Sequence, residues 1–446
     1  MNFWTNPTEY KKKIDEKELE ISVVGLGYVG LPLATMFASK EFDVVGYDVD
    51  EKKVEKINRR ENYLPEEKWL TDLLEEVTTF SASTNVENSG GADFISICVP
   101  TPSDEVTKKP IYKYVEKSCE SVGKNLKEGS LVSLESTVGP GTTEGLVKEI
   151  LEEMSGLYAG EDFGLVYSPE RINPGDEEHR IDRVPKVVGG IDNLSTELGS
   201  AVYEQIVPEV YKVKTPKEAE LTKLLENIQR DVNIALMNEF AQICDLENVD
   251  IKRIIEAAST KWNFMKVYPG CGVGGHCLPQ DPYFLIQATE KKGYSPQLIK
   301  TAREINENMP GYTVEKACSL FENTGIKVTE LKVSVLGIAY KENTKDSRGT
   351  PTKKIIEELK RRDINNIITH DPTINDGIGC ETTSDLKYAL KDSDVIIIAT
   401  AHEEYKKLIP EYIMHSSQNP VLVDGRNIFD PELFKTKGIK YTGIGR

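Results

Sequence analysis

The chain is short of positive charge, has no long apolar run and no paired cysteines, and each shortage closes off a class of function. Fifty-five Lys and Arg stand against 73 Asp and Glu, a net charge of −18. Such a balance argues against binding nucleic acid or anionic membrane, so an anionic ligand needs a local basic pocket. No apolar stretch approaches the roughly 20 residues of a membrane span. The opening Met1-Asn2-Phe3-Trp4, followed by Lys11-Lys12-Lys13, lacks an apolar signal core, so a cytoplasmic protein is expected. The seven cysteines (Cys98, Cys119, Cys244, Cys271, Cys277, Cys318 and Cys380) are scattered, odd in number and without a C-x-x-C pair. Neither a disulfide framework nor a zinc site is expected, and no metal.

Two glycine-rich stretches carry the chemistry. In the first, the apolar strand Ile21-Ser22-Val23-Val24 runs into Gly25-Leu26-Gly27-Tyr28-Val29-Gly30, a helix follows over Leu31 to Lys40, and a second strand, Phe42 to Tyr47, ends at Asp48. Strand, Gly-x-Gly-x-x-Gly, helix, strand and terminal acid is the order a dinucleotide fold requires. Its glycines permit the turn and the approach of a pyrophosphate, and the helix N-terminus favours negative charge. An acid at position 48 hydrogen-bonds ribose hydroxyls and repels a ribose phosphate, so NAD is preferred to NADP. The second stretch, Pro269 to Pro282, crowds four glycines ahead of Cys277 and places Asp281 four residues later. Glycine backbone approaches a ligand closely, and a helical turn after Cys277 would bring the carboxylate to the thiol's face as a base or orienter. The plainer alternative is a tight loop around a structural cysteine.

The remainder reads as α/β. The expected division is a tail over 1–19, a dinucleotide-binding domain over 20–211, a helical central domain over 212–310 and a second parallel-sheet domain over 311–446. In the first domain, strands over 92–99, 131–135 and 163–167 lead into Pro100-Thr101-Pro102, Ser136-Thr137 and Ser168-Pro169-Glu170-Arg171, and Val187 to Gly190 reads as its last strand. A helix without Pro or Gly spans Lys217 to Asn248, with Lys223 and Asn227 on one face, a spacing whose default reading is a solvated polar pair. Long helices with apolar stripes pair subunits, so a homodimer or higher homo-oligomer is expected. Pro310-Gly311 reads as a break before the last domain, whose sheet ends at Val421 to Asp424. Basic residues at two of its strand ends, Lys341 to Arg348 and Arg426, suit a diphosphate. His179 reads as a surface residue, and His370 and His402 as structural.

The tract Gly-Val-Gly-Gly-His-Cys with Asp-Pro closely resembles the signature of the nucleotide-sugar 6-dehydrogenases, the family of UDP-glucose dehydrogenase, and within it the branch acting on 2-acetamido sugars. UDP-glucose enzymes typically carry Ser before the Cys and Lys before the Asp, where this chain has His276 and Gln280. The resemblance implies two Rossmann-like parallel-sheet domains joined by a long-helix central domain. It implies Cys277 as nucleophile, with Lys223, Asn227, Asp281, Glu170 and Thr137 as catalytic partners. Thr101, Thr137 and Arg348 would join Gly25, Gly27, Tyr28, Val29, Gly30 and Asp48 at NAD. Glu170, Arg171, Lys223, Asn227, Gly274, Gly275, His276, Lys341 and Arg426 would face a UDP-sugar. A second family glutamate, four residues after Glu170, is replaced here by Pro174, as expected of the acetamido branch.

The implied reaction is a four-electron oxidation of the sugar 6-hydroxyl to a uronate. An aldehyde cannot yield a second hydride until something adds to its carbonyl, and a cysteine can supply that addition as a thiohemiacetal that becomes a thioester. UDP-N-acetylmannosamine or UDP-N-acetylglucosamine is the expected substrate, with UDP-glucose and GDP-mannose as alternatives. A two-electron dehydrogenase of the hydroxy-acid type would need neither the cysteine nor a second α/β domain, and a silent NAD-binding regulator would be expected to have lost Cys277, Lys223 or Asp281.

Overall fold

The computed structural model describes residues 7–172, 175–321, 327–417 and 420–446; Pro174 and the first six residues lie outside them. The chain divides into two compact units, Met1–Glu226 with Tyr283–Gly293, and Asn227–Pro282 with Tyr294–Arg446. Among the described residues no helix is long and apolar enough to cross a membrane, and no group of His, Cys, Asp and Glu is arranged to hold a metal.

Among the described residues the first unit is built on eight strands: β1 (Glu20–Val24), β2 (Asp43–Tyr47), β3 (Phe80–Ser83), β4 (Phe94–Ile97), β5 (Leu131–Leu134), β6 (Gly164–Tyr167), β7 (Lys186–Gly190) and β8 (Val210–Val213). Their order is β3-β2-β1-β4-β5-β6-β7-β8. Every pair is parallel except β6 with β7. The central strands are buried on both faces, as apolar runs such as Phe94-Ile95-Ser96-Ile97 require. Phe37, Phe42, Phe94 and Tyr203 fill one side of the sheet, while Val115, Val122, Val147 and Leu151 fill the other. The chain reverses its strand order between β1 and β4, where open α/β sheets bind ligands at the carboxyl ends of the strands.

The second unit carries β9 (Lys332–Leu336), β10 (Asn366–His370), β11 (Glu381–Thr383), β12 (Val395–Ile398), β13 (Val421–Asp424) and β14 (Lys440–Gly443). They form one parallel sheet in the order β11-β10-β9-β12-β13-β14. Two parallel-strand sheets with a helical region between them in sequence is the α/β architecture expected.

Three local expectations are corrected. Val187 to Gly190 is not the last strand of its sheet, because the helix Asn193–Tyr203 and β8 follow. The second sheet does not end at Val421 to Asp424, since β14 pairs beyond it. Pro310 does not break the chain: one helix runs from Gln297 to Phe321 with Pro310 inside it and buried. A proline there costs about 3 kcal/mol of helix propensity, which packing of Ala302, Met309, Val314, Ala317 and Phe321 offsets.

Candidate active site

The glycine turn is formed as its spacing requires. Gly25 has φ +90°, and a Cβ there would lie 2.8 Å from the Cys98 carbonyl; one on Gly30 would lie 1.9 Å from the Gly25 carbonyl. Gly27 differs, since a Cβ on it would meet nothing within 4 Å. That open side faces no protein atom, and the helix Gly30–Ser39 has no side-chain cap at its N-terminus. Together they leave room and unblocked amides for a pyrophosphate. Tyr28 and Val29 are half-buried on the same turn. Asp48, at the end of β2, accepts the Leu26 amide at 2.9 Å and the Lys53 ammonium at 3.1 Å through Oδ2, and the Asp50 amide at 3.0 Å through Oδ1. At the ends of β4 and β5, the Thr101 hydroxyl donates to the Thr137 carbonyl at 2.7 Å, so these two threonines meet. The residues present fit a dinucleotide.

Further along the same sheet edge stands Glu170. Its Oε1 accepts the amides of Arg171 and Ile172 at 2.6 and 2.7 Å, and its backbone carbonyl accepts the Lys223 ammonium at 2.5 Å. Arg171 is paired with Glu226, Nη2 to Oε1 at 2.7 Å, and donates to the Pro185 carbonyl at 2.7 Å. Lys223 lies on the helix Pro216–Glu247. Three residues earlier on that helix, the buried Glu220 accepts the amides of Gly141 and Thr143 and the Thr143 hydroxyl, which fastens the turn after Thr137.

In the second unit, Cys277 is exposed and begins the helix Cys277–Glu290. The positive end of the helix dipole favours negative charge at its sulfur. One turn on, Asp281 is 4% exposed, and its Oδ2 accepts the Asn227 amide at 2.5 Å. Gly275 holds the approach to the cysteine at φ +88°, donates its amide to the Arg348 carbonyl at 3.2 Å, and would place a Cβ 2.9 Å from the Tyr340 ring. Gly274 is equally confined, 2.8 Å from the Tyr340 Cβ. Burial raises the Tyr340 phenol, and the charges of Asp346 and Cys277 add to the rise.

The basic residues divide. Arg348 grips Asp346 with Nε and Nη2, at 2.8 and 2.6 Å, and is itself half-exposed. His276 stands 4.0 Å from the same carboxylate. Burial, then the Arg348 charge, holds this imidazole below its ordinary range against the opposing pull of Asp346. Arg426 is exposed, and its guanidinium lies over Gly270, 2.6 Å from where a Cβ would sit. Lys341 is half-buried on the loop after β9. As expected, His370 and His402 are buried and bonded to Tyr405 and Asp371, and His179 is exposed beside Asp176. Asp371, at the end of β10 as Asp48 is at the end of β2, is wholly buried. It accepts the Ile338 and Ala339 amides together with His402, so the protein itself occupies this acid in the second sheet.

Sequence reasoning missed Tyr340, Glu220, Glu135 and Lys186. None stands in a motif, and a glycine tract gives no sign of which ring will press on it.

Three family models match the chain in order: the NAD binding domain of the UDP-glucose/GDP-mannose dehydrogenase family over residues 19–207, its central domain over 217–308 and its UDP binding domain over 334–431. The chain is 36% identical over 432 residues to a UDP-N-acetyl-D-mannosamine dehydrogenase of Pyrococcus horikoshii, covering 96% of this chain and 99% of that protein. It is 37% identical over 423 residues to a UDP-N-acetyl-D-glucosamine 6-dehydrogenase of Pseudomonas aeruginosa, covering 93% and 98%. The solved structure of the UDP-D-ManNAc dehydrogenase from Pyrococcus horikoshii matches with a TM-score of 0.88 at 35% identity, over 96% of this chain and 99% of that one.

Proposed function

Because the chain belongs to the UDP-glucose/GDP-mannose dehydrogenase family and is an NAD-dependent dehydrogenase, we propose that it oxidises the 6-hydroxyl of a UDP-N-acetylhexosamine to the uronate through a thioester on Cys277. The observation that carries this reading is the exposed Cys277 at a helix N-terminus, with a buried Asp281 one turn on that Asn227 holds in place. A two-electron dehydrogenase has no use for that arrangement. The likeness to enzymes named for UDP-ManNAc and UDP-GlcNAc supports an acetamido sugar over glucose.

The Gly25 to Gly30 turn and Asp48 would hold NAD, which when bound would accept one hydride from C-6; a second NAD, exchanged for the NADH formed, would accept the other. The chain's own residues do the rest. Cys277 thiolate adds to the aldehyde carbon, and its oxyanion is stabilised by the Lys223 ammonium and the Asn227 amide, a contribution of about 3 kcal/mol where one such donor is removed. Once the second hydride has left, the thioester is hydrolysed by a water that Glu170 deprotonates. Asp281 takes and returns the cysteine proton. Thr101, Thr137 and Arg348 orient the cofactor, while Arg171, Gly274, Gly275, His276, Lys341 and Arg426 take the UDP-sugar. The enzyme works as a cytoplasmic homodimer or higher homo-oligomer.

Counting NADH per sugar and assaying uronate tests the mechanism. The native enzyme should release two NADH per sugar, and Cys277→Ser should perform a slow first oxidation and form no uronate. Acid formation by that variant at the native rate would overturn the covalent route. A panel of UDP-N-acetylmannosamine, UDP-N-acetylglucosamine and UDP-glucose, followed by NADH release, decides the sugar.

A further inference from the structure

We infer that Lys186 and Glu135 form a positioning pair for the Glu170 carboxylate, holding it from beneath the ligand edge of the first sheet. The inference rests on the reading of Glu170 as the base for thioester hydrolysis.

The topology makes the pair possible. Strand β7 is antiparallel to β6, with Val166 opposite Gly190 and Tyr167 opposite Gly189. Counting on along that ladder brings the first residue of β7, Lys186, beside the segment that follows β6, where Glu170 stands. In a fully parallel sheet the start of β7 would lie at the opposite edge. The Lys186 side chain is 4% exposed. Its Nζ lies 2.7 Å from Glu135 Oε2 and 3.9 Å from Glu170 Oε2, and within 3.5 Å of the Ser168 and Pro169 carbonyls that lead into Glu170. Glu135, just beyond β5, is fully buried; its Oε1 accepts the Ser96 hydroxyl at 2.9 Å and the Tyr203 hydroxyl at 2.7 Å.

Every donor around Glu170 therefore has a fixed direction. Two backbone amides hold Oε1, while Oε2 is buried, without a hydrogen-bond partner among the described residues, and has the Lys186 ammonium as its near cation. The other titratable or charged groups packed around this cluster are Cys98, Tyr203, Lys223 and Arg171. Burying a lysine is unfavourable unless its charge is matched, and burial works against the ammonium here; Glu135 and Glu170 outweigh it and keep Lys186 protonated. Two carboxylates sharing one ammonium sum to one net negative charge. One proton taken up from water brings the cluster to neutrality.

Glu135→Gln, Lys186→Met, Lys186→Arg, the double variant Glu135→Gln/Lys186→Met and Glu170→Gln test the pair in the full-length enzyme. Uronate formation from UDP-N-acetylmannosamine at saturating NAD is followed across pH. Lys186→Met leaves two carboxylates facing each other and should move the acid limb of log kcat up by about one pH unit; Glu135→Gln leaves Lys186 to Glu170 alone and should move it down by about as much. The double variant should return the limb to the native position, and Lys186→Arg should keep it there, each with KM changed by less than about threefold. Opposite shifts are what a merely structural pair would not produce. If Lys186→Met does not fold, Glu135→Gln and the double variant still decide. Shifts of one sign in both, or no shift in either while Glu170→Gln has lost activity, would overturn the inference. Native activity and an unmoved limb in Glu170→Gln would instead remove the base assignment, and this pair's role with it.

Discussion

Two glycines of one turn separate the demands of folding from those of binding. Gly30→Ala would drive a Cβ into the Gly25 carbonyl, and backbone cannot yield as a flexible side chain does. That variant should lose both stability and NAD binding. Gly27→Ala places its Cβ where there is no protein atom within 4 Å, so its unfolding free energy should stay within about 0.5 kcal/mol of native. The methyl group nevertheless occupies the side left open for the pyrophosphate, and NAD affinity should fall by tenfold or more, about 1.4 kcal/mol. Thermal unfolding with and without NAD, together with fluorescence titration of the cofactor, would show it. Unchanged NAD affinity in Gly27→Ala would mean that the pyrophosphate lies elsewhere. At this scale the sequence was informative: the spacing of Gly25, Gly27 and Gly30 with Asp48, and that of Cys277 with Asp281, follows directly from turn and helix periods. Lys186 was illegible because a lysine opening a short strand ordinarily points to water, and only the reversal of β7 against β6 buries it.

Between elements, single carboxylates act as fasteners. Glu220 ties the helix Pro216–Glu247 to the turn that follows Thr137 through three hydrogen bonds. Glu220→Ala strands the buried Thr143 amide and the half-buried Gly141 amide and should cost about 2–4 kcal/mol. Because Thr137 and Lys223 lie next to the two ends of this link, kcat should fall with it. A variant with native stability in urea would show the link to be slack. Asp371 does the same for the loop after β9, and its hydrogen bonds from His402 and the Ala339, Thr373 and Ile338 amides outweigh burial and hold its carboxyl far below the ordinary carboxylate range. A depressed folded-state value contributes stability that is fully present above the unfolded value of about 4 and is lost as pH falls below it. Asp371→Asn should thus be destabilised most at neutral pH, with the gap to native narrowing under acid; a gap constant with pH would contradict this. Elements were legible where pattern and length agreed, as in β4 and β13. They were missed where pattern was weak. Glu381–Thr383 and Lys440–Gly443 are polar edge strands recruited by their neighbours' free backbone groups, and the helix through Pro310 owes its continuity to packing that no local rule records.

For the whole molecule, the long helix makes a demand that one chain does not meet. Leu236, Phe240 and Ile243 recur at i, i+4 and i+7 and remain 44%, 43% and 45% exposed, and Val249 and Ile254 continue the apolar exposure just beyond. Polar residues would normally hold such a face in a chain this rich in charge, and apolar area left in water forfeits about 25 cal/mol per Å². A second copy of the same helix, meeting it across a two-fold axis, would bury these side chains on both copies with one set of residues. Light scattering coupled to size exclusion should therefore give at least twice the 49.9 kDa chain mass. The pair Leu236→Glu and Phe240→Glu should bring it down to one chain, because a glutamate facing its own symmetry copy adds like-charge repulsion to the lost burial. Neither position contacts Cys277, Asp281 or Asn227 in any hydrogen bond described above, so a loss of uronate formation on dissociation would mean that assembly completes the active site. A native protein that runs as a single chain at micromolar concentration would leave the exposed face without its partner and remove the dimer from the proposal.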